Sequence, residues 1–173
     1  MKKLLAMVLA LTFVFFLGGC NDKNNENETD DPDIGEGGVV TVEDSLILVQ
    51  SGATQSKPYE NFLWAEEWSE DGWISADGTS ITDKFSEKQH EIPQITYGED
   101  FEIHYKEGVK LISLSVYNSD FEILQRDAAP SALKDLTNGM YYLIITVKDQ
   151  GKYIEAEQEY EYAGYECVYQ IVK

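Results

Sequence analysis

The chain has 173 residues, and 32 acidic against 13 basic side chains give a formal net charge of -19. Hydrophobic residues make up 43%, which suits one compact domain of ordinary size. No basic stripe is present to meet phosphates, so nucleic acid is excluded as a partner, and two cysteines exclude a disulfide-rich scaffold or a cysteine-rich zinc site.

The first twenty residues read as an export signal. Lys2 and Lys3 form a short positive region, and the apolar run Leu4–Leu17 follows. That run is shorter than the ~18–20 residues a membrane span needs, and it fits the apolar stretch of a signal peptide. It ends in Leu17-Gly18-Gly19-Cys20, which resembles the lipobox of bacterial lipoproteins. Small residues before the cut fit a tight protease site, and a cysteine thiol is the nucleophile that accepts diacylglycerol. The expectation is a signal peptide over 1–19 and a lipid anchor on Cys20, placing the protein outside the cytoplasm on the bacterial cell membrane. A two-chain lipid holds stably where a single chain is marginal.

Residues 20–38 then read as the lipidated cysteine and a disordered acidic tether. Asn21-Asp22-Lys23-Asn24-Asn25-Glu26, Asp30-Asp31-Pro32-Asp33 and Gly35-Glu36-Gly37-Gly38 carry no apolar period. Fully extended, such a tether reaches ~60 Å, and as a flexible coil ~25 Å. Its charge and that of the domain would repel anionic lipids and leave the domain free for a partner.

From Val39 to Lys173 the signals are those of one domain made of strands and turns. Leu46–Val49 is a short apolar run ended by Ser51-Gly52, and Pro58–Trp68 fits either a helix or a strand, with Phe62, Trp64 and Trp68 on one face if a strand. Phe101, Ile103 and Tyr105 alternate with Glu102, His104 and Lys106. Val109–Tyr117 places Ile112, Leu114 and Val116 on one side, and Phe121–Leu124 follows the turn Asn118-Ser119-Asp120. Pro130–Leu136 predicts a short helical turn. Met140–Val147 is apolar on both faces and predicts a central strand. Lys148–Lys152 predicts a turn into a partner strand over Tyr153–Tyr162, with Glu155, Glu157, Glu159 and Glu161 on one face and Tyr160 and Tyr162 on the other; Tyr165–Val172 predicts a last strand.

Short strands without a βαβ rhythm predict an all-β fold, an antiparallel β-sandwich. Leu136, Gly139 and Tyr141 sit directly before the most apolar strand and resemble the tyrosine corner of immunoglobulin-like domains, where a tyrosine bonds back to the preceding turn. At domain scale, Lys57–Trp64, Ser75-Ala76-Asp77-Gly78 and Val116–Phe121 resemble uncharacterised lipoproteins of Firmicutes, and extracellular modules that follow membrane metallopeptidases of the β-lactam-sensor type. The resemblance spans most of 45–173. It implies a surface module and brings no catalytic residues or cofactor.

Enzyme motifs fail. His90-Glu91-Ile92-Pro93-Gln94 begins like a zinc-protease helix, but Gln94 stands where the second histidine is needed and Pro93 breaks the helix. Ser131-Ala132-Leu133-Lys134 matches S-x-x-K without the accompanying S-D-N or K-T-G. Glu102 and His104 share a strand face, as in a solvated ion pair, and Cys167 reads as a buried small hydrophobe. No metal or cofactor is expected. What remains is aromatic: Trp64, Trp68 and Trp73 with Tyr59 upstream and Glu66, Glu67, Glu70 and Asp71 between them. Such a set stacks on sugar rings or anchors a protein; the competing reading puts one or two of the tryptophans in the core. The expectation is therefore a noncatalytic binding module with a protein or cell-envelope glycan as partner. The alternative is a sensor or inhibitor domain for an envelope protease or signalling protein.

Overall fold

The computed structural model describes residues 44–173; the expected signal peptide, Cys20 and the tether lie outside the described residues. The strands are β1 (Ile47–Ser51), β2 (Thr54–Ser56), β3 (Tyr59–Ser69), β4 (Gly72–Asp77), β5 (Gln94–Thr96), β6 (Glu102–Tyr105), β7 (Lys110–Asn118), β8 (Ile123–Gln125), β9 (Met140–Ile154) and β10 (Glu159–Val172). Short helical turns lie between β4 and β5 (Ile81–Lys84, then α1 at Phe85–Lys88, then Gln89–Glu91) and before β9 (Pro130–Asp135). The strands form a small sheet, β2-β1-β6, and a large one, β4-β3-β10-β9-β7-β8, to which β5 adds parallel to the end of β10. The other pairings are antiparallel, so the chain is an all-β sandwich.

Alternation builds the core. Ile47 and Val49 on β1 face Leu143, Ile145 and Val147 on β9 and Cys167, Tyr169 and Ile171 on β10, with Leu114 and Val116 from β7. Each large apolar side chain fully buried this way contributes ~1.5–3 kcal/mol. As the central strand, β9 is apolar on both faces, and its outward Tyr142 and Ile144 need a second cover. The helical turns supply it, with Ile81, Phe85 and Ile92 packing there together with Val168 and the partly buried Tyr59, Tyr117 and Phe121. Buried Glu166 holds the cover down. It accepts hydrogen bonds from the Ile81 N–H (2.5 Å), the Ser80 hydroxyl (2.8 Å) and the Asn61 amide (3.2 Å).

The corner before β9 forms. The Tyr141 hydroxyl donates to the Thr137 carbonyl at 2.9 Å, and a side chain at Gly139 would press on that ring. At the far end Lys173 donates to the carbonyls of Leu133, Lys134 and Leu136, closing the turn Pro130–Asp135.

Four local expectations are corrected. Pro58–Trp68 resolves as strand β3, and an extra residue at Leu63 shifts its register against β10. Phe62 therefore crosses to the face of Tyr165 (5.9 Å between ring centres), where it stays 40% exposed, and leaves the face of Trp64 and Trp68. A bulge at Leu111–Ser113 likewise turns Ile112 to solvent, away from Leu114 and Val116. The expected turn at Lys148–Lys152 is absent: β9 runs on to Ile154, and Gly151 and Lys152 form a bulge opposite Glu161. The chain turns instead at Glu155–Gln158, where Gln158 takes a left-handed φ of 56°, so Glu155 and Glu157 sit in the turn and share no strand face with Glu159 and Glu161. Finally, Phe121 lies in the turn before β8 with a φ of 63°, and the strand begins only at Ile123.

Candidate functional site

The outer face of the large sheet has a second end that the helical turns do not reach. Three cross-strand rows can be followed there. In the first, Trp64 lies opposite Gly164, which lies opposite Lys148. A β-carbon on Gly164 would fall within 2.3 Å of the Trp64 ring, so only glycine lets the indole lie flat across β10. The Lys148 ammonium sits 3.6 Å from the Tyr162 ring centre and 5.8 Å from that of Trp64. In the second row, Glu66 stands between Ser75 of β4 and Tyr162 of β10. In the third, Trp68 pairs with Trp73 edge-to-face at 5.7 Å, while Tyr160 and Tyr153 pair across the β9–β10 hairpin at 4.8 Å.

Glu66–Tyr162 is the last pair of the β3–β10 ladder. Beyond it the β3–β4 ribbon and the β9–β10 hairpin are joined by the Trp68 N–H, which donates to the Glu161 carboxylate at 3.4 Å. Between the two lies a groove of about 350 Å³, lined by Glu66, Trp73, Ile74 and Ser75 on one side and Glu159, Tyr160 and Tyr162 on the other. Its walls are aromatic and its charged lining is carboxylate.

Trp64, Trp68 and Trp73 are thus brought to one face. None belongs to either buried cluster, which corrects the reading that one or two fill the core, and Trp73 is 37% exposed. Tyr59 is not brought to them. It lies at the opposite end of β3, ~16 Å from Trp64 along the strand, and packs under the helical cover. The sequence reading missed Lys148, Tyr160 and Tyr162 as partners of the tryptophans. Tyr160 and Tyr162 sharing one side of a strand was the available signal; their approach to Trp73 depends on the β3–β10 pairing, more than ninety residues apart in sequence.

The other candidates stay apart. Glu102 and His104 form an exposed pair at 3.6 Å on β6, and His90 projects into solvent beside Glu91 at 3.8 Å. Glu91 accepts a hydrogen bond from Lys88 (2.7 Å), which holds its carboxyl below the ordinary value. Cys167 is fully buried, and burial, with Glu60 and Glu166 nearby, pushes its thiol far up, away from nucleophilic character. Among the described residues no group of three or more His, Cys, Asp or Glu side chains is placed to hold a metal ion, and no helix is long and apolar enough to cross a membrane. No family model, curated protein or solved structure matches the chain.

Proposed function

We propose that this chain is a noncatalytic binding module, lipid-anchored through Cys20 to the outer face of a bacterial membrane, that engages a protein or cell-envelope glycan through the open aromatic end of its large sheet. One observation carries the binding reading: outside both hydrophobic clusters, the exposed Trp73 and Tyr160 and the half-buried Trp64, Trp68 and Tyr162 collect on one sheet face beside exposed carboxylates. Aromatic rings left on a surface cost hydration free energy that burial in the core would recover, and binding surfaces are enriched in them. The anchor rests on the sequence alone, on Lys2, Lys3, the apolar run and Leu17-Gly18-Gly19-Cys20.

Two experiments test the two halves. Cells fed labelled palmitate should incorporate label into the chain, and Cys20→Ser should abolish labelling and release the protein from membranes; persistent labelling defeats the anchor. A photo-crosslinker placed at Ile74, beside the groove, should capture a defined partner on intact cells, and Trp73→Ala should reduce the yield severalfold. Equal capture from a crosslinker at Ile112, on a different part of the sheet, would defeat the site.

A further inference from the structure

The groove continues to the edge of the large sheet, and that edge is unlike the others. β4 is the outermost strand, six residues long, and exposed from Trp73 to Asp77. It contains neither lysine nor proline. The remaining edge strands are shorter or guarded: β2 has three residues followed by Lys57-Pro58, β8 three followed by Arg126, β5 three preceded by Pro93, and β6 four flanked by Lys106. Short length, lysine and proline are the devices that keep sheet edges from pairing with other chains. β4 has none of them. Its outward N–H and C=O groups form a template for an added strand among the described residues.

What such a strand would carry follows from the groove. An added strand beside β4 places alternate side chains on the outer face, next to Trp73 and Ser75. From there to Glu66 is two strand spacings, roughly 10 Å, which an extended lysine and a glutamate span together. The small Ser75 leaves that lane open, Trp73 borders it, and Tyr162 stands at its far end beyond Glu66. The face already holds one such group of its own, the Lys148 ammonium seated 3.6 Å from the centre of the Tyr162 ring. A second copy of the chain fits poorly, because two molecules of charge -19 would bring acidic faces together. An oligosaccharide would use the rings but not the open backbone edge.

We infer that β4 accepts an extended polypeptide strand from another protein, and that a lysine of that strand enters the aromatic groove over Glu66. This deepens the binding reading above and depends on it.

The test uses the full chain in neutral detergent, labelled with fluorotryptophan so that Trp64, Trp68 and Trp73 report separately by fluorine NMR. The probe is a blocked heptapeptide of alternating threonine and lysine, titrated at physiological ionic strength. The Trp73 resonance should move. Nε-acetylation of the lysines should weaken binding about tenfold, and so should N-methylation of alternate backbone amides, which keeps the charge but removes the donors. Glu66→Gln should weaken the charged peptide about tenfold and leave the acetylated one unchanged. An N-methylated peptide that binds as well as its parent, or a charged peptide indifferent to Glu66→Gln, reduces the effect to attraction by net charge and overturns the inference. So does a chain that sediments as a dimer and turns monomeric on Ile74→Pro. A neutral chitin oligosaccharide that moves Trp73 when the peptide does not overturns the strand and keeps the binding face. If neither probe moves Trp73 and the crosslinker also captures nothing, the binding face falls with it.

Discussion

The outer face of the large sheet is finished differently at its two ends. At one end Tyr142, Ile144 and Val168 lie beneath Ile81, Phe85 and Ile92, fastened by the three hydrogen bonds to Glu166. At the other end Trp64, Trp68, Trp73, Tyr160 and Tyr162 lie on the same face with no helical cover. Both ends are rich in rings. At the closed end the rings are buried and contribute to stability, whereas at the open end Trp73 and Tyr160 stay exposed.

That contrast has measurable consequences. The largest belongs to Phe85, which is 3% exposed and stacks on Phe121 at 4.2 Å and against Tyr142 at 5.3 Å. Phe85→Ala should cost about 3–4 kcal/mol in urea unfolding, while Trp73→Ala at the open end should cost less than about 1 kcal/mol. Equal costs would break the comparison. Next comes Glu166→Ala, which leaves the Ile81 N–H without its acceptor and should cost about 2–3 kcal/mol. Hydrogen exchange should then quicken across residues 80–92 and stay unchanged along β4.

Gly164→Ala should cost about 1–3 kcal/mol by forcing the Trp64 ring off β10. Trp64→Ala in the same chain should recover most of that cost, and a purely additive double mutant would show that the ring does not rest there. The smallest and most gradual effect is alkaline. Burial raises the phenols of Tyr142 and Tyr117 at the closed end, and those of Tyr105, Tyr165 and Tyr169 in the core. A phenol with a raised folded pKa loses its proton first in the unfolded chain. Its contribution is therefore complete below the ordinary value near pH 10 and is lost as pH rises beyond it, with Cys167 adding the same sign from about pH 9. The urea midpoint should be flat from about pH 7 to about pH 9 and then fall; a midpoint unchanged at about pH 11 would mean that these phenols are solvated.

Much of the architecture was legible in local pattern. The alternation at Phe101–Lys106, the doubly apolar run Met140–Val147 and the spacing of Leu136, Gly139 and Tyr141 each depend on residues a few positions apart, and each appears as read, in β6, β9 and the corner hydrogen bond. The turn at Lys148–Lys152 failed for an identifiable reason. Asp149, Gln150 and Gly151 are turn-forming residues, but a glycine also suits a bulge, and the long ladder with β10 chose the bulge. The site was half legible: the tryptophan cluster stood out, while Tyr59 seemed to belong with it only because it was near in sequence.

The sequence by itself determined that these residues form alternating strands, because period-two patterning is a property of a short stretch of chain. Only the tertiary structure decided which way each ring faces. One extra residue at Leu63 puts Phe62 and Trp64 on opposite faces of the sheet, and the β3–β10 pairing brings Trp73 to Tyr160 and Tyr162. Bulges reverse side-chain parity, and the long-range ladder fixes where they fall.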